Sequence, residues 1–342
     1  MRSNKSYNKQ LALLTAALLV CFLLNISLGS IRIPINEIVS GLYGSAENKT
    51  WQIIIQDFRL PKAITAILVG SGLGVSGLLM QTLFRNPLAG PFVLGISSGA
   101  SLGVALVILG SGLFGGILAT YLVSKWSIVI AASIGSLLVL IAVLAVSSKV
   151  RDTMAILIIG LMFGSITAAI VSVLSYFSTA EQLQQYIFWG FGSLSNLSWN
   201  ELTIFFGLYV IGILLAIFSI KDLNSLLLGD NYAKSLGLNL KQSRMVIILS
   251  TSIIAGTITA FAGPIAFIGL AIPHLTRQII KTSNHRVLLP AVCLYGSIVM
   301  LICDSIAQLP ASDYILPINA ITALIGAPVV IWLLVRQRKM MF

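Results

Sequence analysis

One pattern of residues in this chain resembles a ligand-binding motif. It is Gly72-x-Gly74-x-x-Gly77, which has the spacing of a dinucleotide-binding turn. That turn needs a strand before it and an acidic residue about 20 positions later. Residues 90–103 contain no acid. Small residues at such spacing also let membrane helices approach one another closely. We therefore expect these glycines to pack helices together, and no nucleotide site.

The other side chains capable of chemistry are scattered. The three cysteines form no CxxC pair, and His274 and His285 are the only histidines. A metal site needs several such ligands together, so we expect no bound metal and a structural role for His274 at a helix end. No set of residues predicts a catalytic centre. The chain also contains no Gly-Lys dipeptide, so it lacks a phosphate-binding Walker loop.

Composition indicates where these residues lie. Of 342 residues, 57% are hydrophobic and 9% are charged, and the mean hydropathy is +1.00. The apolar residues form blocks of about 18 to 25, the length at which a helix crosses the hydrocarbon of a bilayer. These values exclude an average soluble domain and predict an all-α integral membrane protein.

The apolar blocks predict about ten transmembrane helices. A basic segment precedes the first block, as in a signal peptide, but the apolar run continues past Cys21 and we expect that helix to be retained. Only Gly263 and Pro264 separate the seventh and eighth blocks. The predicted spans are 9–29, 61–83, 92–114, 127–147, 153–178, 199–220, 245–263, 265–281, 286–307 and 315–335.

Basic residues predict the orientation of these spans. An even number of spans places both termini on one side of the membrane. If that side is the cytoplasm, it holds sixteen of the 21 lysines and arginines. The positive-inside rule therefore predicts cytoplasmic termini. It also explains the net charge of +11 without any nucleic-acid partner.

Two polar segments between spans are predicted to form further helices. On the outer side, Ser178-x-x-Glu181 is a capping-box pattern that predicts an amphipathic helix over 178–192, ended by its glycines. On the cytoplasmic side lies the segment 221–244, KDLNSLLLGDNYAKSLGLNLKQSR. Here Asp230 is expected to cap a helix that stops at Gly237, and Asn239 to cap a helix that continues into the seventh span.

The first cytoplasmic helix, over 231–236, needs a surface to pack against, because six residues do not form a stable helix alone in water. Tyr232 and Leu236 share one of its faces, with Ala233 beside them. This face is expected to pack on the protein's own membrane base or to bind a cytoplasmic partner.

Several residues near span ends leave alternatives open. The turn RNPLAGP (85–91) is either an ordinary loop or a constriction of a pathway. Arg59 and Lys62 are either interface anchors or a docking site for an acidic partner. Asp304 is the one acid placed within a span, where we expect a paired residue in preference to a proton relay.

Five motifs, in order, resemble the FecCD-type permeases, the membrane subunits of bacterial ABC importers for iron-siderophores, haem and cobalamin. The resemblance extends from about residue 10 to the end of the chain. The motifs are RLPKAITAILVGSGLGVSGLLMQTLFRNPLAGPFVLGISSGAS (59–101), IFWGFGSL (187–194), LLLGDNYAKSLG (226–237), GPIAFIGLAIPHLTR (263–277) and LPINAITALIGAPVVIWLL (316–334).

The resemblance implies a vitamin B12-permease-like fold and a single transmembrane permease domain over 1–342 in the bacterial cytoplasmic membrane. It implies a dimer with a second permease subunit, two ATP-binding subunits and an extracytoplasmic substrate-binding protein. ATP and Mg would be bound by the partner ATPase, so this chain would be a transport subunit without a cofactor and not an enzyme.

The resemblance also assigns roles to individual residues. The region that would couple to the ATPase, 221–244, includes Gly229, Ala233, Leu236 and Gly237. The cytoplasmic gate is matched by Asn86, Leu88 and Thr153. The basic pair that would contact the binding protein is matched by Arg59 and Lys62, while Gln308 stands where family members often carry another basic residue. Lys62 keeps the charge of the commoner arginine but loses its bidentate geometry.

The implied function is ATP-driven import of an iron chelate, a siderophore or haem, with cobalamin as the alternative within the family. Two alternatives from other classes are an ion-coupled secondary carrier and a non-transporting membrane scaffold or receptor. The scarcity of ionisable residues within the spans disfavours the carrier.

Overall fold

The computed structural model describes residues 4–29, 33–44, 48–113, 124–147, 153–309 and 314–338, and every regular element in these ranges is helical. A π-helical segment (Ile54–Arg59) joins α3 to α4, and short 3₁₀ helices cover Pro91–Leu94 and Gly110–Leu113. The helices are α1 (Asn4–Ser27), α2 (Ile35–Leu42), α3 (Lys49–Ile53), α4 (Leu60–Leu83), α5 (Ile96–Ile108), α6 (Lys125–Ser147), α7 (Thr153–Tyr176), α8 (Ala180–Gly190), α9 (Trp199–Phe218), α10 (Ile220–Leu226), α11 (Asp230–Ser235), α12 (Leu240–Ala262), α13 (Ile268–Ile279), α14 (His285–Ala307) and α15 (Ile318–Arg338).

Within the described residues, seven helical stretches are long and apolar enough to cross a membrane, and each coincides with a predicted span. The other three predicted spans coincide with α5, α13 and α15. Helices α5 and α13 have only 13 and 12 residues, and each begins directly after a residue at positive φ, Gly95 (φ +75°) and Phe267 (φ +66°). The all-α multi-pass fold is therefore confirmed, and the orientation of the termini stays a prediction.

Helix α4 forms the centre of the bundle, where it packs against α9, α12, α13 and α14 and is almost entirely buried. Its glycines lie directly against neighbouring backbone. A Cβ atom built on Gly77 would lie 1.5 Å from the carbonyl oxygen of Gly269, and one on Gly70 would lie 2.2 Å from that of Gly296. The predicted packing role of this glycine pattern is confirmed.

A second group of helices, α5, α6 and α7, joins the bundle through contacts of α5 and α6 with α12. Helices α5 and α6 approach one another through Gly99 and Gly135, and α7 lies against α5. Most of α7 is exposed, as a helix facing lipid or another subunit would be. The polar segment that contains α10 and α11 leads from α9 into α12.

Helix α8 begins one residue later than predicted. Its capping box is formed by Thr179 and Gln182, not by Ser178 and Glu181. The reason is that the Ser178 hydroxyl donates to the carbonyl oxygen of Leu174 at 2.6 Å and so closes the last turn of α7. The helix ends at Gly190, as the glycines predicted.

Candidate functional site

The segment 221–244, called the cytoplasmic segment after its predicted side of the membrane, folds as two short helices followed by the start of a long helix. Asn239 caps α12, with its side chain accepting from the backbone N–H of Gln242, and Gly237 (φ +85°) follows α11, both as predicted. Asp230 is not the cap of α11. Gly229, at φ +109°, holds the capping position, and Asp230 is the first helical residue. Because Gly229 takes the capping position, the Asp230 carboxylate does not cap the helix and instead contacts two arginines.

The three residues predicted to share a face of α11 differ in their exposure. Ala233 has no exposed surface, and its N–H donates to the carbonyl oxygen of Gly229 at 2.8 Å. It packs the helix onto the protein itself. Tyr232 and Leu236 remain 54% and 59% exposed, and Leu228 just before α11 is 62% exposed. Such a group of exposed apolar side chains on a polar surface is typical of a protein-binding site.

The turn between α4 and the Pro91–Leu94 helix, residues 84–90, is called the gate turn after the role that the resemblance implies for Asn86 and Leu88. The Asn86 side-chain oxygen accepts from the N–H of Leu88 at 2.9 Å, and the Asn86 carbonyl accepts from the N–H of Ala89 at 3.1 Å. Leu88 is 40% exposed. Two of the three predicted gate residues therefore lie together in one ordered turn. Thr153 begins α7, and its side chain lies outside the described residues.

Helix α13 holds the gate turn on one side. His274 Nε2–H donates to the Pro87 carbonyl oxygen at 2.8 Å. Arg277 Nη1 donates to the Gln81 side-chain oxygen at 2.8 Å, and Gln81 Nε2 donates to the Leu270 carbonyl at 3.1 Å. His274 makes a structural contact, as predicted, but it lies in the middle of α13 and not at a helix end. Arg277 and Gln81 were not identified from the sequence, because nothing in the motifs brings them together.

Residues of the cytoplasmic segment hold the gate turn on its other side. Arg85 forms an ion pair with Asp230, with 2.5 Å between Nη2 and Oδ1, and donates from Nε to the Leu226 carbonyl at 3.1 Å. Arg244 of α12 binds the second carboxylate oxygen of Asp230 at 2.6 Å. No motif in the sequence predicts this cluster. Opposite charge alone is too common a signal to pair residues that lie 145 positions apart.

A second polar contact joins α10 to the central helices. His285, fully buried at the start of α14, donates from Nδ1 to the Asn224 side-chain oxygen at 2.8 Å. Its Nε2 lies 2.9 Å from the hydroxyl of Thr82 on α4. This histidine therefore connects the first helix of the cytoplasmic segment to the helix that carries the gate turn.

On the opposite side of the bundle, Lys62 and Asp304 form a nearly buried ion pair. Lys62 Nζ lies 3.1 Å from Asp304 Oδ1, and the Asp304 side chain is only 3% exposed. Asn25 and Gln308 donate to Oδ2 of the same carboxylate at 2.9 and 2.7 Å. Asp304 is thus a paired residue, the alternative preferred from the sequence, and Gln308 supports this pair.

Arg59 secures the end of α1. Its Nη1 donates to the carbonyl oxygens of Ile26 and Ser27 at 2.6 and 3.0 Å. Arg59, Lys62 and Gln308 share the lining of a pocket of about 350 Å³. The two predicted docking residues therefore lie in one pocket, and both also make internal contacts. Their docking role stays a prediction.

The arrangement of helices matches a solved structure described as a metal-chelate type ABC transporter in an inward-facing conformation. The TM-score is 0.82 with 32% sequence identity, and the match covers 96% of this chain and 99% of that chain. The fold is that of the membrane permease subunit of an ABC importer. Residues 17–336 match the FecCD transport family. The chain belongs to this family, as the motifs indicated.

Curated relatives agree with this assignment. The chain is 38% identical over 326 residues to the vitamin B12 import system permease protein BtuC of Klebsiella pneumoniae, covering 95% of this chain and 93% of that protein. It is 37% identical over 296 residues to the hemin transport system permease protein HmuU of Yersinia pestis, with 86% of each chain covered. Permease subunits of this kind are not enzymes, and the family implies an ATPase partner and a dimer of permeases.

Proposed function

We propose that this chain is the membrane subunit of an importer for an iron chelate, a siderophore or haem, in the bacterial cytoplasmic membrane. Two copies would enclose the pathway, and two ATPase subunits would drive it. The observation that carries this proposal is α11, a helix fastened by buried Ala233 that leaves Tyr232 and Leu236 exposed on the same segment that contacts the gate turn. A folded apolar patch of this kind suits a partner protein that moves it.

ATP and Mg belong, in this proposal, to the ATPase subunits. The chain carries no Gly-Lys dipeptide and so no Walker loop, which supports an energy source bound to another chain. The alternative within the family is cobalamin import, supported by the relative named as a vitamin B12 import permease. Iron-chelate import is supported by the hemin permease and by the solved metal-chelate transporter.

The test is uptake by proteoliposomes that contain this chain, its ATPase subunit and its substrate-binding protein. A ferric siderophore, haem and cobalamin would be offered separately, with ATP enclosed at the ATPase side. We expect uptake of one iron chelate that requires ATP and stops with vanadate.

Cobalamin uptake alone would favour the alternative substrate. Uptake driven by an ion gradient without the ATPase would indicate a secondary carrier. A chain that retains no ATPase and moves none of the three would indicate a scaffold or receptor.

We further propose that Arg59 and Lys62 bind acidic residues of the substrate-binding protein. Arg59→Gln is expected to weaken this binding about tenfold at low salt, because charge-assisted hydrogen bonds contribute about 1.5–3 kcal/mol. The loss should shrink as ionic strength rises. Surface plasmon resonance with the permease in nanodiscs measures both effects.

Lys62 needs a paired substitution in the same experiment, because removing it alone would leave Asp304 buried without a counter-charge. Lys62→Gln with Asp304→Asn keeps the site neutral and able to hydrogen-bond. This double variant should also bind the partner more weakly, whereas Lys49→Gln, a change at an exposed lysine of the predicted outer segment, should not. Unchanged affinity of both docking variants at low salt would contradict the assignment.

A further inference from the structure

One carboxylate joins three segments of the chain on the predicted cytoplasmic side. Asp230 is the first residue of α11, and its two oxygens bind different arginines. Oδ1 lies 2.5 Å from Arg85 in the gate turn, and Oδ2 lies 2.6 Å from Arg244 in the first turns of α12. Arg85 also reaches the last residue of α10, the Leu226 carbonyl. The gate turn, both short helices and the start of α12 are therefore connected through Asp230 and Arg85.

The backbone of the gate turn is built around Arg85. This residue has φ +46°, a left-handed conformation that residues other than glycine adopt only rarely. Its own N–H donates to the Thr82 carbonyl at 3.3 Å, and the N–H of Asn86 donates to the Gln81 carbonyl at 3.2 Å. The unusual backbone is thus held by the end of α4. The direction of the Arg85 side chain and the position of Asn86 are set by the same turn.

The two sides of the gate turn are fastened differently. Toward α13, the Pro87 carbonyl of the turn accepts from His274, and just before the turn the buried Gln81 of α4 is held by Arg277 and by the Leu270 carbonyl. Toward α11, the side chains of Arg85 and Asp230 are 45% and 36% exposed. A buried anchor on one side and an accessible ionic contact on the other allow the turn to pivot on α13 when α11 is displaced.

We propose that Arg85 is a positioning residue that ties the gate turn to the cytoplasmic helices, so that α11 and the pair Asn86 and Leu88 move as one body. This inference rests on the proposed function, in which an ATPase displaces α11. Asp230 is the shared partner, and Arg244 extends the connected group to α12. Loss of either end of the Arg85–Asp230 contact would let the ATPase move α11 without moving the gate.

The test compares substrate transported with ATP hydrolysed in the reconstituted complex. Arg85→Gln and Asp230→Asn are each expected to lower the number of substrate molecules moved per ATP about tenfold, within the range of coupling between distant sites. Stimulated ATPase activity should stay within about twofold of the unaltered complex, because the exposed face of α11 is intact. The double variant should be no worse than either single one, since both remove the same contact. Lys281→Gln, an equal loss of charge at an exposed position between α13 and α14 and outside the segment 221–244, should leave the ratio unchanged.

A spin label at Leu88→Cys, with the native cysteines replaced by alanine, gives a direct measure of gate movement. ATP should change the distance between the two labels of the unaltered dimer and leave it unchanged in Arg85→Gln or Asp230→Asn. If Arg85 had only a structural role, its replacement would lower ATPase activity and gate movement together. Arg85→Gln and Asp230→Asn remove the same contact from opposite ends. One variant that assembles with the ATPase is therefore enough for the test.

Two results would overturn the inference. One is an unchanged transport ratio, and the other is ATP-dependent gate movement that persists in the variants; in both cases the unaltered complex still transports, so the proposed function stands. An unaltered complex that shows no ATP-driven uptake would overturn the proposed function, and this inference with it.

Discussion

Replacing Leu236 by aspartate is expected to abolish ATP-driven uptake while the protein still folds and inserts into the membrane. Leu236 follows α11 and is 59% exposed, so its side chain contributes little to the packing of this chain. In the proposed complex it would be covered by the ATPase. An uncompensated carboxylate buried in such an interface costs about 3–5 kcal/mol, which corresponds to a loss of affinity of more than about a hundredfold.

The measurement is co-purification of the ATPase subunit together with uptake by proteoliposomes. Ser283→Asp is the matched control, because it adds the same charge at an exposed position just before α14, outside the segment 221–244, where an acidic side chain is favourable. Ala233→Pro would be a poorer test. It removes the bond between the Ala233 N–H and the Gly229 carbonyl and so disrupts α11 itself. Undiminished uptake by the Leu236→Asp variant would show that this surface does not bind the ATPase.

Replacing Gly77 by alanine adds one methyl group at the centre of the helix bundle. We expect it to lower the stability of the protein more than any other glycine-to-alanine change there. The new Cβ would lie 1.5 Å from the Gly269 carbonyl oxygen, so α4 and α13 must separate. No side-chain rotation can relieve an overlap with backbone. Inserting a methylene into a packed core typically costs about 1–3 kcal/mol, and contact with backbone places this variant at or above the upper end.

Thermal unfolding of the purified protein in detergent measures this effect, with Gly207→Ala as the control. Gly207 is exposed within α9, and nothing lies within 4 Å of a Cβ built there. Alanine should be neutral or stabilising at that position because it favours the helix by about 1 kcal/mol over glycine. A Gly77→Ala variant with the same unfolding temperature as the control would contradict the close packing of α4 on α13.

Most of the helical architecture could be predicted from the sequence because its causes are local. The length and hydropathy of each block depend only on neighbouring residues, and seven predicted spans coincide with helices that can cross a membrane. The predictions were less accurate where backbone conformation intervenes. Residues at positive φ, Gly95 and Phe267, lie directly before the short helices α5 and α13, and the Ser178 hydroxyl closes α7, so that Thr179 caps the next helix.

The face of α11 shows where local patterns stop being sufficient. Helical spacing placed Tyr232, Ala233 and Leu236 near one another but left their surroundings open. Packing assigns Ala233 to the interior and leaves the other two exposed. That division depends on what lies beneath the helix, which a single sequence does not state.

The sequence by itself determined that this protein is a multi-pass helical membrane protein, that a polar segment separates the sixth and seventh predicted spans, and which family's motifs it carries. Only the tertiary structure decided which charges meet. Arg85 and Asp230 are 145 positions apart, and Lys62 pairs with an aspartate on a different long helix. Such pairs form because packed glycines bring distant helices side by side, and hydropathy and capping patterns carry no information about which helices become neighbours.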